Sequence, residues 1–119
     1  MKNLIKIICV VIICWATQTA TAQTTTGIAS YYSNSLQGKK TASGETYKKN
    51  KLTAAHRTLP FNTRVRVTNL SNNKSVIVTI NDRGPRKKSR IIDVSRAAAK
   101  KLDFIDDGIT KVDIEVLND

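Results

Sequence analysis

The stretch that decides the fold is RVRVTNLSNNKSVIVTINDRGP, residues 64–85. Its first limb alternates, with Val65 and Val67 on one face and Arg64 and Arg66 on the other, the period of a strand with one buried face. Ser71-Asn72-Asn73-Lys74 is a cluster of turn formers, and Ser75 to Asn81 is a nearly continuous β-branched run. Residues 64–81 therefore read as a β-hairpin. Asp82-Arg83-Gly84-Pro85 ends the second limb sharply.

Working outward, Gly27-Ile28-Ala29-Ser30-Tyr31-Tyr32 reads as a first strand and Ile91-Ile92-Asp93-Val94 as a short buried one. Ser95 is placed to cap an Ala-rich helix, Arg96 to Leu102. Asp106-Asp107-Gly108 is a further turn, after which Ile109 to Leu117 alternates with Val112, Ile114 and Val116 facing inward. Residues 33–52, rich in Ser, Asn, Gly and Lys, form a long loop region, and a loop of that length in so small a domain is usually functional. There is no internal repeat, low-complexity tract or second domain. The pattern alone describes one mainly β, barrel-like domain with a helix.

The first 22 residues read as an address. Lys2 and Lys6 make a positive start, Ile7 to Ala16 is an apolar run of ten, and Ala20-Thr21-Ala22 is a small-x-small cleavage site. That is the pattern of a secretory signal peptide, with an apolar run too short to span a bilayer. Cys9 and Cys14 each follow isoleucine, where a lipid-modified cysteine follows a small residue. The expected product is an exported chain of the periplasm or cell envelope, with no lipid anchor and no stable membrane insertion. The boundaries are a signal peptide at 1–22, a mobile polar leader at 23–26 and the domain at 27–119.

Both cysteines leave with the signal, which excludes a disulfide scaffold, and the single histidine excludes a His-cluster metal centre. Neither a metal nor a cofactor is expected. Residues 23–119 keep 33 of the chain's 48 apolar side chains, so the core is small and its stability depends on a well-closed topology. They also keep 18 basic and 9 acidic side chains, a net +9 against +11 for the whole chain. A small basic domain usually meets something anionic. Nucleic acid is disfavoured by the export signal and by the scarcity of stacking surfaces: six aromatics in all, of which Trp15 is in the signal.

Four residues could carry chemistry: Glu45, His56, Asp82 and Asp93. A carboxylate pair with one histidine fits general acid–base work on a glycosidic bond. Each also has a structural reading. Asp82 could organise a turn, Glu45 could be solvated, and His56 could be a satisfied imidazole. Asp93, between Ile92 and Val94, needs a partner, either an arginine or a site that exploits a perturbed pKa.

Several segments occur in one order: Gly27–Tyr32, Thr41-Ala42-Ser43-Gly44-Glu45, Leu52-Thr53-Ala54-Ala55-His56, Leu59-Pro60, Val65–Leu70, Asn81-Asp82-Arg83-Gly84-Pro85 and Arg90–Ser95. Together they resemble the rare lipoprotein A family from about Gly27 to Leu117. The resemblance implies a small six-stranded double-psi β-barrel with one or two short helices. It further implies a lytic transglycosylase that cuts between N-acetylmuramic acid and N-acetylglucosamine in peptide-stripped peptidoglycan, leaving a 1,6-anhydro end. Carried over, Asp82 is the acid/base, with Glu45 and His56 orienting the sugar and tuning proton transfer. Asp93 is a second candidate, catalytic or structural, by similarity to expansin-like barrels. Tyr31, Thr41 and Arg83 are the expected substrate contacts. A monomer is expected, with glycan strands as the substrate and cell-division or envelope proteins as partners.

One departure from that pattern is Lys48, where the family often carries an acid. A positive charge there would lower a neighbouring carboxylate's pKa and make it less available as a proton donor. The alternative is a non-catalytic, expansin-like module that binds glycan without cutting it.

Overall fold

A computed structural model describes residues 24–118; the expected signal peptide lies outside the described residues. In chain order the strands are β1 (Thr24–Tyr31), β2 (Thr53–Ala55), β3 (Arg64–Asn69), β4 (Ser75–Asp82), β5 (Arg90–Val94) and β6 (Thr110–Val116). Helix α1 (Arg96–Leu102) lies between the last two strands, and a 3-10 turn occupies Asn34–Leu36. The strands close into a barrel in the order β1-β5-β2-β4-β3-β6. Closure pairs every strand on both sides, which removes exposed edges and lets a short chain hold together without disulfides.

The 64–82 hairpin supplies much of the core. Val65 pairs with Val78 and Val67 with Val76 across β3 and β4, and these valines with Ile80 point inward. Arg64 and Arg66 stay outside. Ala29, Ala54, Ile92, Val94, Val112 and Ile114 fill the rest of the barrel. Ser95 caps α1 as expected, its Oγ accepting from the Ala98 N–H. The helix lays Ala98, Ala99 and Leu102 on the core, with Phe104 just beyond.

One local expectation changes. Residues 24–26, expected as a mobile polar leader, are the first three residues of β1. Thr24, Thr25 and Thr26 face Glu115, Ile114 and Asp113 of β6, and the Thr26 hydroxyl donates to Asp113 Oδ1 at 2.6 Å. Backbone pairing holds them in the sheet, and Thr is β-branched and suited to it. The expected 33–52 loop is pinned. Lys40 and Thr46 form an isolated bridge, and Tyr47 is buried with its hydroxyl accepting the Arg96 N–H at 3.2 Å.

Candidate active site

The barrel's pairing decides which side chains meet. β2 runs parallel to β4 and antiparallel to β5, while β1 runs parallel to β5. The register places Ser30 beside Asp93, Asp93 beside Ala55, and Ala55 beside Asp82. The two aspartates are thus two strand spacings apart, roughly 10 Å at the backbone, on either side of a residue with almost no side chain. All four residues line one cleft of about 680 Å³, within the range of small-molecule sites. Leu36 and Ile109, both exposed apolar side chains, also line it.

Asp82 is held by three donors. Its Oδ1 accepts the N–H groups of Ala42, at 2.8 Å, and of Arg83, at 2.9 Å, and its Oδ2 accepts the Tyr32 hydroxyl. The 41–45 loop therefore reaches the end of β4, with Ser43 N–H also donating to Asn81 O at 3.3 Å. Gly84 has φ of +138°, a conformation closed to residues with a Cβ, and it lets the chain turn away directly behind Asp82. Tyr32 stacks on Tyr47, centroids 4.4 Å apart. Burial, then the hydrogen bond to Asp82 and the charges of both aspartates, push the Tyr32 hydroxyl far above its usual range, so it remains a donor.

Asp93 accepts the Ser30 hydroxyl and lies 3.5 Å from Arg90 Nε. That separation and orientation make an ion pair without a hydrogen bond, since the buried Nε has no hydrogen-bond partner. The arginine pairing that a carboxylate in this strand needs is therefore present.

His56 follows β2, and its N–H donates to Asp82 O at 3.1 Å. Its Nδ1 accepts two backbone N–H groups, from Thr58 and Leu59, each at 3.1 Å. The neutral ring therefore carries its proton on Nε2. Burial, with smaller contributions from Arg57 and Arg83, holds the imidazole below its ordinary pKa. With Nδ1 committed, His56 is a donor through Nε2–H and has no free lone pair to act as a base.

The remaining expected residues separate. Glu45 lines a second cleft of about 430 Å³ with Lys48, Lys51 and Asn81. Thr41 is buried, its hydroxyl donating to Glu45 O at 2.8 Å, and shapes the loop that reaches Asp82. Tyr31 lines the larger cleft, but its hydroxyl donates to Ile105 O at 2.8 Å and its ring meets Phe104 edge-on. Arg83 also borders that cleft, while its Nη1 donates to the carbonyls of His56, at 3.2 Å, and Leu59, at 2.9 Å.

Tyr32, Ser30, Arg57 and Arg90 were not anticipated. Alternation along β1 carries the signal for Tyr32: where Tyr31 packs on the Phe104 side, its neighbour faces the other way. Charge carries a second signal. Residues 33–101 hold 17 basic side chains and three acidic ones, and the three are Glu45, Asp82 and Asp93. The cationic surface around these isolated carboxylates attracts anionic ligands towards them.

Similarity to known proteins follows the same residues. Residues 24–114 match the family described as lytic transglycolase. The chain is 52% identical over 103 residues to an endolytic peptidoglycan transglycosylase RlpA of Campylobacter jejuni, covering 87% of this chain and 38% of that one. A Rickettsia felis protein of the same name is 58% identical over 97 residues, covering 79% and 42%. The chain thus spans less than half the length of these relatives. Among solved structures, the apo expansin of Clavibacter michiganensis superposes with a TM-score of 0.65 at 22% identity, over 82% of this chain and 52% of that one.

Proposed function

The chain belongs to the lytic transglycolase family built on the double-psi β-barrel, and from that premise we propose that it cleaves peptidoglycan glycan strands without water. The bond cut is the one between N-acetylmuramic acid and N-acetylglucosamine. The observation that carries this reading is the Asp82 carboxylate, oriented by three donors in a cleft that also holds Asp93.

Asp82, in its protonated form, gives its proton to the glycosidic oxygen as the C1–O bond breaks. The resulting carboxylate takes the proton of the C6 hydroxyl, and that oxygen closes on C1 to form the 1,6-anhydro ring. One group serves as acid and then as base, so no second proton acceptor is needed. This suits a site whose histidine has no free lone pair. Tyr32 and the N–H groups of Ala42 and Arg83 fix the carboxylate. Asp93, held by Ser30 and Arg90, stabilises the positive charge that develops at C1. Glu45, in the second cleft, borders the path of the strand on the far side, Thr41 shapes the loop that reaches Asp82, and Leu36 and Ile109 offer apolar contact to sugar faces. The chain acts as a monomer in the cell envelope, after loss of residues 1–22, on peptide-stripped strands and beside envelope partners.

Incubation of the purified protein with peptide-stripped sacculi is expected to release fragments with anhydro ends, read by mass spectrometry. An unchanged profile together with retained pull-down on sacculi would replace this reading with the expansin-like binding module.

A further inference from the structure

Two arginines reach in opposite directions across the gap between the loop after β2 and the loop after β4. Arg57, on the first, donates from Nη1 to Pro85 O at 3.0 Å and Arg90 O at 2.7 Å, and from Nη2 to Lys88 O at 3.2 Å. Arg83, on the second, donates to His56 O and Leu59 O and stacks its guanidinium 4.1 Å over the Phe61 ring. Each side chain grips the other loop's backbone, and each sits next to a candidate catalytic residue, Arg57 beside His56 and Arg83 beside Asp82. Both are exposed, so burial does not explain the arrangement. The planar five-donor fork of arginine does, because it holds several carbonyls in one fixed geometry where lysine offers a single rotatable point charge.

We propose that Arg57 and Arg83 form a reciprocal clamp that locks the 56–61 loop to the 83–90 loop and so sets His56 against Asp82. They are positioning residues rather than substrate contacts. The clamp joins two things that otherwise lie on separate loops. Arg83 holds the carbonyls that flank the two N–H groups bonded to His56 Nδ1, which fixes the imidazole's tautomer. Arg57 holds the basic loop whose Pro85, Arg86 and Arg90 line the Asp82 cleft. Movement at either loop is transmitted to the other. The value of the clamp for catalysis rests on the glycan-cleaving reading, but its existence does not.

The test reads each substitution on the opposite loop, in the full chain. Arg83→Lys is expected to speed amide exchange at Thr58 and Leu59 by about fivefold or more. It should also give the single His56 side chain the nitrogen shifts of mixed tautomers. Arg57→Lys is expected to speed exchange at Arg90, whose N–H donates to Lys87 O at 3.1 Å. Lys87→Ala, which removes charge from the same loop without touching the clamp, should leave the His56 signals unchanged. On glycan, both arginine variants are expected to lower kcat about tenfold with KM within about twofold, as misplacement of catalytic groups does. Unchanged exchange on the opposite loop in both variants would overturn the clamp. A raised KM with kcat intact would make these arginines substrate contacts. A wild-type protein that turns over no glycan would overturn the proposed reaction while leaving the exchange measurements to decide the clamp.

Discussion

Asp82→Asn separates the chemical role of this residue from its structural one. The carboxylate accepts hydrogen bonds from Ala42 N–H, Arg83 N–H and the Tyr32 hydroxyl. In the asparagine variant the amide oxygen can keep both backbone bonds, and the Tyr32 hydroxyl can turn to accept from the new NH2 group. No partner is stranded, but three charge-assisted bonds become neutral ones. The expected cost is about 1–2 kcal/mol, a fall of roughly 5–15 °C in Tm for a domain of this size. The variant should therefore fold and melt cooperatively. Activity is a different matter, because the group proposed to donate and recover the proton is gone. General acid–base catalysis contributes about 10²- to 10⁴-fold, so release of anhydro-ended fragments should fall at least 100-fold. Thermal melting by circular dichroism and fragment release from stripped sacculi, measured on one preparation, give both numbers. A folded Asp82→Asn protein within about tenfold of wild-type activity would refute Asp82 as the acid/base. A variant that fails to fold would show that the aspartate is chiefly the organiser of its turn.

Tyr32→Phe removes one donor to Asp82 while keeping the stack on Tyr47, so kcat should drop by about tenfold, with a loss of Tm similar to that of Asp82→Asn. The His56 imidazole is held below its usual pKa, so between that ordinary value and the folded one the unfolded chain binds the extra proton. Stability should be full above about pH 6.5 and fall as pH drops through that window, and His56→Gln should flatten this part of a Tm-against-pH curve. Asn69 is buried, donating to Leu102 O and accepting from Ser71 and Thr110; Asn69→Ala removes the acceptor of Ser71 and Thr110, while Leu102 O keeps the Asn72 amide, and should cost about 1–3 kcal/mol in chemical denaturation, with Asp82 untouched.

Legibility in the sequence followed the range of the interactions. The 64–82 hairpin was readable because alternation and a turn cluster act over a few residues, and α1 because a cap serine stands directly before an Ala-rich run. Strand β2 was not. Thr53–Ala55 is three residues long, too short to show a period, and it is a strand only because β4 and β5 flank it. Thr24–Thr26 looked like a polar leader because nothing nearby pairs with them; their partners on β6 lie some 87 residues away. The candidate site has the same character. Asp82 and Asp93 become neighbours of one alanine through the register of β2, which no spacing in the chain encodes. The clamp residues Arg57 and Arg83 bond to backbone carbonyls, and a carbonyl leaves no mark in a sequence. Resemblance to a family pointed to Asp82, Glu45 and His56; Glu45 lines a different cleft from Asp82, while His56 bonds to Asp82 O through its backbone and has its Nδ1 engaged by its own loop.

In the proposed reaction Asp82 drives cleavage in which a sugar hydroxyl, not water, closes on C1. Digestion of peptide-stripped glycan in water enriched in oxygen-18 tests it most directly. Anhydro-ended fragments with no heavy oxygen at the new end are expected, and their loss in Asp82→Asn. Fragments carrying one heavy oxygen at a reducing end would contradict it, because they would make the reaction a hydrolysis.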